Sequence, residues 1–380
     1  MLALRMTAAG PAGCVDAPLT ANDAARAVET VLEKFLDAGL CRAREVDPVF
    51  AGDVADRVAA FTRRGGKRLR TAFAWCGWRA AGGEGDAGAV LQLGAALELV
   101  QACALIHDDV MDGSLLRRGE PAVHVDFARM HRAAEMTGPP ESFATAAAVL
   151  AGDLALAWAD DLLTENALRS PHGWRLYREW QALRGEMVAG QYRDIHAQAA
   201  GSSGVDEAMT IATLKSALYT VERPLALGAS LTAADARTVD ALRSAGRCAG
   251  LAFQLRDDLL GAFGDPALTG KPSGDDLRVR KLTYLLAVAT RLAEDSGDEE
   301  AVDALGPVTA PRSDRTIDRM RAALERTGAR AVVEAKITEL AGTSLRHFEE
   351  TGAAPLVRRE FAALVDQAVG MVPDLTGEST

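Results

Sequence analysis

From about residue 20 to 370, apolar positions recur at intervals of three and four, the period of an α-helix that packs by one face. AARAVETVLEKFLDAGL, with Thr20 or Asn22 as its N-cap, is the first such stretch. VADRVAAFTRR continues helically and stops at Gly65-Gly66. The clearest later helices span 86–111, 142–168, 172–198, 206–230, 235–262 and 279–295, followed by 314–350 and 355–370. Polar or Gly/Pro-rich runs separate them: HRAAEMTGPPES at 131–142, GSSG at 201–204, DPALTGKPSGDD at 265–276 and the link at 296–314. No segment alternates with the strand period and no unit repeats. The pattern predicts an all-α chain with a flexible leader over 1–19, one large helical domain over 20–370 and a flexible tail over 371–380.

Composition agrees with the pattern. Of the 380 residues 48% are hydrophobic, mostly Ala and Leu rather than β-branched, and aromatics make up only 5%; alanine loses no side-chain entropy in a helix. The net charge of −11 argues against binding nucleic acid, whose phosphates it repels, but leaves room for a local basic pocket. Five scattered cysteines without a CxxC pair point to free thiols in a reducing compartment. No transmembrane segment is expected, because the longest apolar candidate, Ala144 to Ala159, is cut by Gly152-Asp153. The opening MLALRMTAAGPAGC loosely resembles a lipoprotein signal, but Arg5 interrupts its short apolar part, so the cytoplasm is the expected location.

The first chemistry-bearing segment is Asp108-Asp109-Val110-Met111-Asp112, which follows the apolar run LVQACALIH. Asp108 and Asp112 lie one helical turn apart on one face, where bare carboxylates repel unless a cation sits between them. Mg²⁺ suits such a place, since it takes a few carboxylate oxygens and completes its shell with water and phosphates. A solitary acidic cluster is equally a solvated turn or an N-cap. The second pair, Asp257-Asp258, changes the balance because it repeats the layout after CAGLAFQLR. Two such helix ends suggest facing walls of one cavity, with a diphosphate chelated between them. The basic complement is Gly65-Gly66-Lys67-Arg68-Leu69-Arg70, a turn entering a helix, together with Arg117-Arg118, Lys271 and Lys281. Each alone is ordinary surface, so the weight lies in their co-occurrence. His107 precedes the aspartates and is more simply a packed or capping residue than a ligand. The six histidines show no metal-ligand spacing, and no nucleophile motif or dinucleotide fingerprint appears.

With these residues assembled, the chain resembles the trans-isoprenyl diphosphate synthase family (polyprenyl synthetases), most closely its bacterial geranylgeranyl diphosphate synthases. LIHDDVMD resembles the first aspartate-rich motif and FQLRDDLLG the second. The order GGKRLR, Gln101, DDVMD with its RR, Lys215-Ser216, FQLRDD, GK and a final Lys matches from about residue 20 to 370. The resemblance implies a helical bundle around a deep central cavity, a homodimer, and substrates that are isopentenyl diphosphate and an allylic diphosphate. It assigns Lys67, Arg70, Gln101 and Arg118 to isopentenyl diphosphate. Arg117, Lys215, Ser216, Gln254, Lys271 and Lys281 go to the allylic diphosphate. Mg²⁺ is assigned to Asp108, Asp112 and Asp257, with Asp109, Asp258 and Lys215 among the catalytic set. The implied reaction ionises the allylic diphosphate, adds the isopentenyl double bond and loses a proton.

This sequence departs from the pattern at Gly261, where a third aspartate is frequent, with Asp265 a nearby candidate to compensate, and at Thr71 in place of Pro. Ala104 and Cys103, four and five residues before the first aspartate, are small. By resemblance they leave the cavity floor open and favour a C20 product, with longer polyprenyl diphosphates as the alternative. A class I terpene cyclase-like lyase on the same fold would not need the isopentenyl pocket. A regulatory subunit or helical scaffold would not need both acidic pairs.

Overall fold

The computed structural model describes residues 18–264, 274–306 and 313–370. Helix α1, Ala21–Val46, begins with Thr20 and Asp23 exchanging backbone and side-chain hydrogen bonds in a capping box. Helix α2 is built from Pro48–Phe50, a π-helical turn Ala51–Ala55, and Asp56–Arg63. The chain then reverses through Gly65 (φ +59°) and Arg68 (φ +48°) before α3, Leu69–Ala80. Helix α4, Gly88–Met111, runs through the middle of the bundle and buries Leu93, Leu97, Val100 and Ile106. Its last turn carries the first acidic motif.

A two-residue antiparallel ladder follows, β1 (Leu116–Arg117) against β2 (Glu120–Pro121). The strand-free reading missed it because two residues are too few to show a period. Its turn is set by Arg118 (φ +56°) and Gly119 (φ +76°), the double left-handed geometry of a tight hairpin. Helix α5, Val123–Ala133, was likewise not recognised. Helix α6, Pro140–Arg169, packs along α4 with Ala144, Ala148, Ala151 and Ala155, whose small side chains let the two backbones approach. Helices α4 and α6 are long and apolar enough to cross a bilayer by length and composition, which the interruption at Gly152-Asp153 had seemed to forbid for α6. Within the fold, 67% of the apolar window of α4 and 44% of that of α6 are buried.

Helix α7 is Gly173–Ala200. Helix α8 joins Val205–Ala212, a ten-residue π-helical Thr213–Glu222, and Arg223–Ser230. Helix α9, Ala236–Phe263, bears the second acidic motif on its C-terminal half. The helix expected at 279–295 is instead a single turn, α10 (Asp275–Arg278), an extended link, and α11 (Tyr284–Ser296), which starts where the Thr283 hydroxyl caps it. Helix α12, Glu299–Leu305, falls in the expected polar link. The stretch 314–350 divides into α13 (Asp314–Arg326) and α14 (Ala329–Glu349) at Gly328, whose φ of +75° ends one helix and permits the next. Helix α15, Pro355–Ala368, stacks Phe361 on Phe348 of α14 at 3.9 Å and sets it edge-on to Phe73 of α3 at 6.1 Å.

Candidate active site

The basic turn before α3 separates its two arginines. Arg68 is buried and bonds Glu29 and Glu98 at 2.7 Å each, so it fastens the turn to α1 and α4. The carboxylates outweigh the burial that opposes its charge and raise its pKa. Arg70 points the other way: its guanidinium lies 4.3 Å from the Tyr219 ring centroid and donates to Thr220 Oγ1 at 3.0 Å. Tyr219 in turn donates to Gln101 Oε1 at 2.6 Å. Lys67 is exposed beside Gly66, and a Cβ on Gly66 would stand 2.9 Å from the Arg118 guanidinium. Gln101 and Arg118 line one small crevice with Thr62, Arg68 and Glu98. Lys67, Arg70, Gln101 and Arg118, spread over three segments of the sequence, thus gather at the mouth of α3 and the middle of α4.

One turn beyond, the end of α4 meets a second group of cations. Asp108 accepts from Lys215 Nζ at 3.0 Å, from Arg117 at 3.2 Å and from Gln191 at 3.3 Å. Asp109 is fully buried and grips the Arg117 guanidinium, so of the two adjacent carboxylates it is the one that anchors the hairpin arginine. Asp112 accepts from Lys281 Nζ at 3.1 Å. Behind both lysines stands Asp194 of α7, 1% exposed, at 2.6 Å from Lys215 and 3.4 Å from Lys281. Burial opposes ionisation of Asp108, but Lys215, Lys281 and Arg117 outweigh it and hold the carboxyl well below the usual range. The same lysines lower Asp194, and the Asp194 and Asp112 charges raise Lys281 against its own burial. Ser216 is buried next to Lys215.

The two carboxylates on α9 have different surroundings. Asp257 is exposed, whereas Asp258 is buried and accepts from Gln254 Nε2 at 2.7 Å. Burial pushes the Asp258 carboxyl up to about 7, and the Asp276 and Asp257 charges add to the effect. Asp276 of α10 also acts on Lys281, which bonds Asp112, so the segment after the second motif links the acidic ends of α4 and α9. Lys271 and Asp265 lie outside the described residues.

Cys103 and Ala104 face different ways. Cys103 is 2% exposed, its thiol pushed up to about 12 by burial and 3.7 Å from His107 Nδ1, on the flank that packs against α6. His107 Nε2 in turn approaches the Val149 carbonyl of α6 at 3.0 Å. His107 is therefore a packing residue, as its position suggested. Ala104 is less buried and lies one turn before Asp108 on the face turned to the lysines.

Sequence reasoning missed Gln191, Asp194, Tyr219, Thr220 and Asp276. The spacing of Gln191 and Asp194, three apart in GQYRD, puts both on one helix face and was the available signal. Tyr219 and Thr220 lie on a π-helical stretch whose phase no 3.6-residue pattern anticipates.

The donors suit a hard divalent cation. Asp108 and Asp112 offer carboxylate oxygens one helical turn apart, with no sulfur or imidazole between them. Among the described residues no three His, Cys, Asp or Glu side chains form a closed cage, and Mg²⁺ is commonly held by one or two carboxylates plus substrate phosphates rather than by a protein cage.

The comparisons with known proteins point the same way. The family model for polyprenyl synthetase matches residues 54–324. The geranylgeranyl diphosphate synthase of Mycobacterium tuberculosis is 33% identical over 74% of this chain and 73% of its own length. The geranylfarnesyl diphosphate synthase of Aeropyrum pernix is 31% identical over 64% of this chain and 72% of its own. Among solved structures, the geranylgeranyl pyrophosphate synthase of Corynebacterium glutamicum, complexed with isoprenyl diphosphate and magnesium, superposes with a TM-score of 0.86 at 38% identity, covering 92% of this chain and 99% of that one. With the two acidic helix ends, the gathered cations and the all-helical bundle, these likenesses establish that the chain belongs to the polyprenyl synthetase family.

Proposed function

We propose that the protein is a Mg²⁺-dependent trans-prenyltransferase that joins isopentenyl diphosphate to allylic diphosphates, with geranylgeranyl diphosphate as its product. The observation that carries this reading is the pairing of two separate cation groups around α4. One, at Lys67, Arg70 and Arg118 with the neutral amide of Gln101 beside them, is suited to a first diphosphate. The other, at Arg117, Lys215 and Lys281, is suited to a second beside Asp108 and Asp112. A cyclase needs only the second.

Lys215 and Lys281 are held in place by Asp194, so their ammonium groups are already oriented when a diphosphate arrives; such prior orientation is what makes charge stabilisation effective in a transition state. Mg²⁺ held by Asp108, Asp112 and Asp257 would supply further positive charge against the leaving pyrophosphate. No side-chain nucleophile is required, because the isopentenyl double bond would attack the allylic carbon as the pyrophosphate leaves, and the departing pyrophosphate would take the proton. Arg70, Tyr219 and Gln101 form one chain of contacts that would hold Arg70 and Gln101 oriented toward isopentenyl diphosphate.

The small Ala104 one turn before Asp108 and the geranylgeranyl diphosphate synthases among the relatives support a C20 product, with the longer products of the geranylfarnesyl relative as the alternative. The homodimer implied by the resemblance would cover Phe143, Val149 and Leu150, which are exposed along α6.

Incorporation of radiolabelled isopentenyl diphosphate, followed by chromatography of the dephosphorylated products, tests the reading. The expected result is Mg²⁺-dependent addition of C5 units ending mainly at C20. Asp108→Asn is expected to lower turnover by about a thousandfold or more while the Tm is retained. Consumption of an allylic substrate without C5 addition would favour a cyclase and overturn the proposal.

A further inference from the structure

The π-helical part of α8, Thr213–Glu222, is held near its start by Lys215, which bonds Asp108 and Asp194. Its far end is held by ion pairs to both neighbouring helices. Glu222 is 1% exposed and accepts from the Arg247 guanidinium of α9 twice, at 2.8 and 3.2 Å. The next residue, Arg223, donates to Glu186 and Glu179 of α7 at 2.7 Å each, and Glu179 also takes Arg243 of α9. Glu179 and Glu186, seven apart, share one face of α7, and Arg243 and Arg247, four apart, share one face of α9. A Cβ on Gly246 of α9 would stand 2.6 Å from the Glu222 Cα, so the two backbones touch at this clasp.

The clasp sits where the helix changes register. The Arg223 N–H donates to the Leu218 carbonyl, five residues back, and Pro224, which has no N–H, ends the wide ladder where α-helix resumes. In an unbroken α-helix residues seven apart share a face, so Glu222 would come round to the side of Lys215 and set a carboxylate against the diphosphate position. In the wide register Lys215, Tyr219 and Thr220 all reach the site, at Asp108, Gln101 and Arg70, while Glu222 turns to α9. We propose that Glu222 and Arg223, gripped by α9 and α7, are positioning residues that lock the π register of α8 and so keep Lys215 and Tyr219 turned to the site. This rests on the function proposed above. The clasp touches neither diphosphate position; it acts through the helix that carries Lys215.

The test is titration calorimetry of inorganic pyrophosphate into the full chain in Mg²⁺, with steady-state kinetics and the Tm of every variant measured alongside. Arg247→Gln leaves the buried Glu222 without its cation. It is expected to weaken pyrophosphate binding by about tenfold and to lower kcat by about tenfold or more. Arg247→Lys returns the charge and is expected to recover most of both. Ile337→Ala, a core substitution on α14 outside the clasp, is expected to lower the Tm and leave pyrophosphate affinity unchanged. A lower Tm in Arg247→Gln with affinity and kcat intact would overturn the inference, as would an equal loss of affinity in Ile337→Ala, since either would give the clasp a purely structural part. No recovery in Arg247→Lys would also count against it. If Arg247→Gln folds poorly, Arg223→Lys decides: it keeps the charge but loses the two-carboxylate grip, and is expected to weaken binding by about threefold. Unchanged affinity there would overturn the inference. Asp108→Asn separates this inference from the reading beneath it. Wild-type pyrophosphate binding in that variant defeats the metal assignment, whereas loss there with none in Arg247→Gln defeats only the clasp.

Discussion

Asp194 shows how much of the site hangs on one carboxylate. It is 1% exposed, it orients two lysines from behind, and its Oδ1 has no hydrogen-bond partner among the described residues. Removing one member of a buried charge pair leaves the others without compensation, and Asp194→Asn is expected to cost about 3 kcal/mol at neutral pH. The sign of the pH dependence follows from the lowered pKa, which Lys281 and Lys215 impose against burial. A carboxylate depressed in the folded state contributes stability above its unfolded value and loses it as pH falls through the folded one. The gap between wild type and variant in chemical denaturation should therefore stay level from about pH 8 to pH 5 and narrow below about pH 4. A gap that persists unchanged into acid would show that packing rather than charge holds the residue. Arg68 and Arg70 show the same dependence on surroundings: two apart in one basic motif, one is a buried fastener and the other faces the site.

At the scale of elements, the π-helical part of α8 is the piece that aims Lys215, Tyr219 and Thr220, and glycines on both sides let its neighbours close on it. A Cβ on Gly190 of α7 would meet the Lys215 backbone nitrogen at 2.4 Å, and one on Gly250 of α9 would meet the Ala217 carbonyl oxygen at 2.4 Å. These contacts are with backbone, which cannot swing aside as a flexible side chain can. Gly190→Ala is expected to cost about 1–3 kcal/mol from overpacking and to raise KM for the allylic substrate as Lys215 is displaced. Wild-type stability and kinetics in that variant would show that the helices simply move apart.

Helix α4 supports a second prediction at this scale. Ala104→Phe puts an aromatic ring one turn before Asp108 and is expected to shorten the main product by at least one C5 unit at nearly unchanged stability. Cys103→Phe forces the ring into the packed α4–α6 seam and is expected to destabilise the protein by about 1–3 kcal/mol. Product chromatography and thermal unfolding of the two variants distinguish the faces, and an unchanged product from Ala104→Phe would place the floor on another helix.

For the whole molecule, the proposal makes the bundle's stability depend on its ligands. Mg²⁺ and inorganic pyrophosphate together are expected to raise the Tm well beyond the sum of their separate effects, because the cation and the anion each complete the other's coordination. Saturation at a hundredfold excess over Kd corresponds to about 2.7 kcal/mol. A simple sum of the separate shifts would count against a shared site. The apolar side of α6 bears on assembly: sedimentation is expected to give a dimer of the 40.0 kDa chain, and Leu150→Glu to shift it towards monomer.

The sequence by itself determined the helical period, most helix boundaries and the acidic and basic motifs, because these follow from local spacing and from side chains that have no other economical use. Asp108 and Asp112 stood out by their own spacing, Lys215 and Lys281 gained weight only through the family resemblance, and Gln191, Asp194, Tyr219 and Thr220 were not named. What lay beyond it was phase and partnership. The π-helical turns shift side chains by a fraction of a turn that no 3.6-residue pattern registers. The two-residue hairpin depends on a pair of left-handed backbone conformations at Arg118 and Gly119. Only the tertiary structure decided that Asp109 turns inward to Arg117, that Asp194 stands behind both lysines, and that Asp276 comes to rest over Gly261, because each of these is a meeting of segments far apart in the chain.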